Sequence, residues 1–194
     1  HARRLNSLGL LYEKGGRPNR AEALFRASIK HYHNYFGGAD RSLIVPLFNL
    51  VRVCEAQSKL NDAVSYCQQL LSLQDTLNRE DEEEKFWAVD TLARLLQCTK
   101  KYDEAALMYN PLITGRQIAR GPMHIEVSWA FHNLGNLYLE AERASDAERS
   151  FRKALEIKQT QLEPYDASII ETRRGIATSL HLQGSNLQAE AIFR

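Results

Sequence analysis

Apolar residues recur along this chain at helical spacing, and the helical stripes themselves recur. Leu5, Leu8, Gly9 and Tyr12 fall at i, i+3, i+4 and i+7, as do Phe131, Leu134, Gly135 and Tyr138. That spacing lines one face of an amphipathic helix. A second such run follows each first one: Ala21-Phe25-Ser28-Ile29 in one place, Ala147-Phe151-Ala154-Leu155 in another. Short polar or glycine-bearing stretches separate the two runs, at Gly15-Gly16-Arg17-Pro18, Lys100-Lys101 and Gly184-Ser185-Asn186, and these read as turns. The pattern therefore predicts antiparallel helix pairs.

The pairs repeat. Ala21, Ala63, Ala105, Ala147 and Ala189 succeed one another at steps of 42 residues. Leu8, Leu50, Leu92, Leu134 and Ile176 keep the same step, and so do Phe25, Cys67, Tyr109, Phe151 and Phe193. Three columns in register without an insertion define five units, at about 2–43, 44–85, 86–127, 128–169 and 170–194, the last incomplete. The small residues have a packing reason, since helices approach to about 8–10 Å only where the contact side chains allow it. Gly9, Val51, Ala93, Gly135 and Ala177 form one small or modest column and the alanines form another. Larger residues such as Tyr12, Phe25, Tyr138 and Phe151 fill the space beside them. The expected fold class is all-α, a right-handed α-solenoid of antiparallel helix hairpins in a single array over 1–194, with nine complete helices, a shortened tenth and no strand.

Leu5-x2-Leu8-Gly9-x2-Tyr12 followed by Ala21-x3-Phe25 resembles the tetratricopeptide signature, with Leu where that pattern has Trp. The fourth unit resembles it too, with Phe131 in that place. The usual unit is about 34 residues and ends its second helix at a proline; here His33 and Gln159 occupy that column. A second helix longer by about two turns accounts for the added length. The 42-residue form, with Lys101-Tyr102-Asp103-Glu104-Ala105 and Arg152-Lys153-Ala154-Leu155-Glu156-Ile157, is similar to the kinesin light chain repeat. The resemblance covers the whole chain and implies a tetratricopeptide-like superhelix that holds partner proteins.

Irregularities fall at two prolines and one charge run. Pro46 lies near the start of the second unit's first helix, where proline is tolerated only in the first turn, so that helix is expected to begin late or bend. Pro111, with Gly115 behind it, is expected to interrupt or kink the third unit's second helix and displace 116–120. Asn78–Lys85 reads either as a solvated loop and helix start, where acidic residues suit the dipole, or as a docking patch for a basic partner.

Composition narrows the function. The formal net charge is +1 among 25% charged residues, which gives no electrostatic footprint for nucleic acid. No run of about 18 apolar residues offers a membrane span. Cys54, Cys67 and Cys98 are odd in number and form no CxxC pair, against both a disulfide framework and a zinc site; Cys54 and Cys67 stand in core columns as buried structural residues. A reducing, cytoplasmic compartment follows. His31 and His33, two apart on a helix, point to different sides and make no metal site. Phosphate loops, nucleophile elbows and HExxH patterns are absent, so no catalytic residue and no cofactor are expected. The chain begins at His1 and ends inside an unfinished helix, as a piece of a longer protein would.

The binding face is expected on the first helices of successive units, which line the concave side of such stacks. Candidate groove residues are Asn6, Asn49, Arg52, Trp87, Arg94, Trp129, His132, Asn133 and Asn136. An asparagine amide both donates and accepts, which suits clamping an extended peptide backbone, and kinesin light chains resemble this use. Ser7, Thr91 and Gly175 interrupt any full asparagine ladder. Trp87 and Trp129 serve either in packing on the preceding unit's long helix or as an aromatic shelf for a ligand side chain. The resemblance implies acidic peptides, for which Arg52 and Arg94 would serve; yet Arg3, Lys14, Arg52, Arg94 and Arg174 face Glu13, Glu55, Asp90, Glu140 and Glu171 across the same surface, leaving it neutral. The expected function is a non-catalytic adaptor holding a partner peptide or helix. The alternatives are self-association through exposed terminal repeats, as a homo-oligomer, and an intramolecular regulatory module of a larger signalling protein.

Overall fold

The computed structural model describes residues 1–77 and 82–193. Two compact units divide the chain, His1–Thr99 and Lys100–Arg194. The first holds α1 (Ala2–Lys14), α2 (Pro18–Phe36), a 3-10 turn (Arg41–Leu43), α3 (Ile44–Ala56), α4 (Leu60–Thr76) and α5 (Glu82–Cys98). The second holds α6 (Tyr102–Arg120), α7 (Ile125–Glu140), α8 (Ala144–Gln161), α9 (Ala167–Leu182) and a short α10 (Asn186–Ala191). Among the described residues there is no strand. As the repeat predicts, the second helix is the longer in each complete pair: 19 residues against 13, 17 against 13, 19 against 17, and 18 against 16.

The repeat is written into the turns. Second helices begin at Pro18, Leu60, Tyr102, Ala144 and Asn186, each 42 residues after the last. Two residues before each start, at Gly16, Ser58, Lys100, Glu142 and Gly184, the backbone enters the left-handed region at φ 69, 58, 61, 58 and 79°. The amide after it reaches back five residues, as Arg17 to Tyr12 (2.9 Å), Lys59 to Cys54 (2.9 Å), Arg143 to Tyr138 (2.8 Å) and Ser185 to Leu180 (2.9 Å). That bond satisfies a carbonyl that the helix end leaves open and reverses the chain in the fewest residues. Glycine takes this conformation freely, whereas a residue with a Cβ is strained there. Glu142→Gly and Ser58→Gly are each expected to raise stability by about 0.5–1 kcal/mol, read as a higher urea midpoint at unchanged slope.

Within each unit every helix packs on the next in the chain, and first helices of neighbouring pairs also touch, α1 with α3 and α7 with α9. The alanine column lies at the tight crossings: Ala21, Ala63, Ala105 and Ala147 have no exposed surface. Phe25, Cys67 and Phe151 are likewise fully buried, and Tyr109 is 1% exposed. The first-helix column is buried at Leu50, Leu92, Leu134 and Ile176, but Leu8 is 42% exposed. Sizes compensate across the crossing. A Cβ on Gly9 would stand 2.5 Å from the Phe25 ring, and one on Gly135 2.7 Å from the Phe151 ring. Where the ring column carries the smaller Cys67, its partner column carries Val51.

The prolines behave differently from one another. Pro46 is the third residue of α3, which the 3-10 turn Arg41–Leu43 precedes, so the helix begins late as expected. The expected interruption at Pro111 is corrected, because α6 runs unbroken from Tyr102 to Arg120. Pro111 and Leu107 both lie at the surface. The carbonyl four residues before the proline loses its helical donor there, and water replaces it at little expense. In the acidic run, residues 78–81 and the side chain of Glu82 lie outside the described residues.

Candidate first-helix binding faces

In the first unit the candidate residues meet one another rather than standing free. Asn6 and Asn49 are 9% and 4% exposed, and Asn49 Nδ2 donates to Asn6 Oδ1 at 3.0 Å. Their expected place on an open groove is therefore corrected. The α1–α3 contact covers them, and each amide satisfies the other as buried polar groups must be satisfied. Arg52 donates from Nε and Nη2 to the two carboxylate oxygens of Glu13, at 3.2 and 2.5 Å. Arg94 makes the equivalent forked pair with Glu55, and that bond, opposed by burial, raises its pKa further. Each pair spans 39 residues, a rung between neighbouring first helices. Side chains here are 47% exposed on the arginines, so each rung contributes little stability and chiefly fixes register. Trp87 is half-buried and its ring centroid lies 3.9 Å from that of Phe48 on α3. It thus packs on a first helix.

In the second unit the same face is more open. Trp129, Asn133 and Asn136 fall at i, i+4 and i+7 on α7, one stripe of that helix. Trp129 is 49% exposed and Asn136 is exposed, with Asn133 half-buried. Among the described residues, no ring contact engages Trp129 and no side-chain hydrogen bond engages Asn133 or Asn136.

His132, on the flank of that stripe, is committed inward. Its Nδ1 lies 3.0 Å from Thr172 Oγ1 on α9, and its ring meets Phe151 edge-on at 5.3 Å. Thr172 donates to the Ser168 carbonyl at 2.8 Å and accepts from the ammonium of Lys158 at 2.8 Å. With the threonine proton given to Ser168, His132 is the donor from Nδ1. Lys158 is 2% exposed and also reaches the Ser168 carbonyl at 3.2 Å; burial lowers its pKa. Burial, then the Lys158 charge, push His132 down to about 4. The unfolded chain binds that proton at the ordinary value near 6.5, so it takes up the proton first as pH falls. This contribution to stability is complete above pH about 6.5 and is lost as pH drops toward 4. With its partial exposure discounted, His132 is expected to remove on the order of 1–2 kcal/mol between pH 7 and 4.5. Urea titrations at both pH values should show a smaller difference for His132→Gln.

Other chemistry-bearing groups are used in packing. Glu22, Cys54 and Asp62 bring potential ligand atoms within 4.8 Å of one another. Glu22, however, is held by Lys59 at 2.7 Å, Arg26 at 2.7 Å and Gln57 at 3.1 Å. Burial opposes its charge, but the Lys59 and Gln57 hydrogen bonds and the Arg26 charge outweigh it and keep its pKa lowered. Burial pushes the Cys54 thiol up to about 11 and Cys67 to about 12. The group is an ion-pair network joining α2 to the next pair's turn, and the fourth unit repeats it as Glu148 with Arg152 and Gln183 at 2.8 Å each.

Reading stripes helix by helix placed Glu13 and Glu55 on the same face but missed their pairing with Arg52 and Arg94, the Phe48–Trp87 contact and the Lys158–Thr172 contact. The signal for the two pairings was periodic: Glu13 to Arg52 and Glu55 to Arg94 are the same interval one repeat apart.

Hairpins of this length and column pattern define a tetratricopeptide-type solenoid. A tetratricopeptide repeat family profile matches residues 87–160 and 126–194, more than half of the chain, and the chain belongs to that family, whose repeats build protein-interaction scaffolds. The solved Podosopora anserina kinesin light chain protein with nearly identical TPR-like repeats is 17% identical, with a TM-score of 0.80 over 100% of this chain and 93% of that one. BtubC (BKLC) from P. vanneervenii is 20% identical, with a TM-score of 0.79 over 97% of this chain and 75% of that one. MamA from Desulfovibrio magneticus RS-1 is 17% identical, with a TM-score of 0.69 over 99% and 90%. At these identities the likeness is one of fold, of the kinesin light chain repeat type. No curated protein matches the chain. Among the described residues, no helix is long and apolar enough to cross a membrane.

Proposed function

We propose that this chain is a non-catalytic adaptor of a reducing, cytoplasmic compartment that holds an extended peptide or short helix of a partner protein against its first helices. The observation that carries the reading is the α7 stripe, a half-exposed tryptophan followed on the same face by two asparagine amides. Exposed aromatic surface beside groups that both donate and accept suits a peptide's side chain and backbone together. In the first unit the equivalent surface is built of Arg52–Glu13, Arg94–Glu55 and Phe48–Trp87 pairs. These neutralise the arginines, so a peptide there meets a charge-balanced, ordered platform. Peptides selected on the wild-type chain from a random display library are expected to bind Trp129→Ala/Asn136→Ala at least about tenfold more weakly, as hot-spot truncation does. Melting should stay within the small range of surface substitutions. Selected peptides that bind the variant as tightly as wild type would remove α7 from the function.

Self-association is favoured by a different observation. Leu8 and Leu11 leave 42% and 67% of their surface open on α1, on a column that other units cover with a second helix. Concentration-dependent light scattering that vanishes in Leu8→Ser/Leu11→Ser supports stacking of copies; a monomer at all concentrations excludes it.

A further inference from the structure

Second helices stand apart where first helices touch, and a cleft opens between them. In the second unit it lies between α6 and α8, is floored by α7 and has a volume of about 470 Å3. Asn110, Thr114 and Gln117 present one stripe of α6 to it, Arg149 and Lys153 line the α8 side, and Phe131 lies in the floor. The first unit has the same cleft between α2 and α4, two repeat lengths earlier in the chain. Leu47 there stands for Phe131, Ser65 for Arg149, Gln69 for Lys153 and His33 for Gln117, each 84 residues before. None of its lining residues is Asp, Glu, Lys or Arg.

We propose that the α6–α8 cleft binds an extended acidic segment of a partner protein, on a face separate from the first-helix stripe. Charge selects the occupant. The lining carries Arg149 and Lys153 against Asp146 alone. Arg143, at 2.6 Å from Asp146 and 3.5 Å from Asp103, shares the Asp146 carboxylate with Arg149, so that carboxylate serves two guanidiniums at once. Lys153 sits 5.1 Å over the Phe131 ring, a contact that places its ammonium above an apolar wall and leaves its charge uncompensated. Among the described residues no carboxylate pairs with Lys153. Neutral donors and acceptors on the α6 stripe face these cations and suit the backbone of an extended chain. A ligand carboxylate between Arg149 and Lys153, with an apolar neighbour on Phe131 and Ile113, satisfies each wall. The uncharged first-unit cleft, alike in fold, serves as an internal control.

The test uses the whole chain and a short fluorescein-labelled peptide of alternating Asp and Leu, with a Lys and Leu peptide as its counterpart, followed by anisotropy. The acidic peptide is expected to bind, to weaken as salt rises, and to lose about tenfold or more in affinity to Arg149→Ser/Lys153→Gln, the residues of the other cleft. Both side chains are exposed, and Lys153→Glu alone should abolish binding at unchanged melting temperature. Trp129→Ala/Asn136→Ala should leave this binding intact, which separates it from the first-helix reading. No binding of the acidic peptide, equal binding of the basic one, or affinity unchanged in Arg149→Ser/Lys153→Gln would each overturn the proposal. Loss confined to the Trp129 variant would overturn it too, and assign the peptide to the α7 stripe.

Discussion

Gly175→Ala is expected to destabilise the chain by up to about 2 kcal/mol, although alanine is the better helix former by about 1 kcal/mol. The opposing term is steric. A Cβ at Gly175 on α9 would stand 2.7 Å from Phe151, and one at Gly135 on α7 would stand 2.7 Å from the same ring. Phe151 is fully buried and packs in one cluster with Ala147, Ile176 and Leu180. Overpacking of this kind costs about 1–3 kcal/mol before the helix gain is subtracted. Because glycines flank the ring from two helices, it escapes one new methyl only by moving toward the other. Gly135→Ala/Gly175→Ala should therefore lose more than the sum of the single losses, a departure from additivity expected of residues sharing one partner. Urea unfolding of the wild type, the singles and the double measures it. Adding Phe151→Leu to the double should return part of the lost stability by shrinking the wedge. A double variant as stable as either single would show that the ring is not clamped.

Gly175 also shows where the chain was legible and where it was not. Residues at intervals of 42 expose the hairpins, because every unit solves the same two problems, a tight crossing and a tight turn. The alanine column and the left-handed turn positions keep step to the residue, so element order and length could be read directly. A stripe along one helix describes only its contact with its own hairpin partner. In a stack each helix has further neighbours, and those contacts join residues 39, 40 or 43 apart, as Arg52 with Glu13, His132 with Thr172 and Asn49 with Asn6. That offset depends on how far adjacent first helices shift along each other, which hydrophobic periodicity does not encode. Gly175 and Asn49 both lie outside the hairpin stripe and were expected on an open face for that reason. The first seats a ring; the second is buried. The Arg–Glu rungs were half visible, since balanced charges on the face were countable, but their pairing needed the inter-helix offset.

Asn49→Ala is accordingly expected to act on stability, where an open-groove asparagine would act on binding alone. The substitution removes the donor to Asn6 Oδ1 at a site where both residues are nearly excluded from water. The stranded carbonyl then bears its desolvation penalty, and the expected loss is about 1–3 kcal/mol. Asn6→Ala should lose a comparable amount by stranding the Asn49 amide. The double Asn6→Ala/Asn49→Ala leaves neither group behind, so it should be more stable than the two single losses predict, by about 1 kcal/mol of coupling. Asn136→Ala, on the open stripe of α7, is the control and should shift stability by no more than about 0.5 kcal/mol. Four urea titrations complete the cycle and a fifth adds the control. Single losses as small as that of Asn136→Ala would mean that water reaches the pair, and would return Asn6 and Asn49 to the surface available for a peptide.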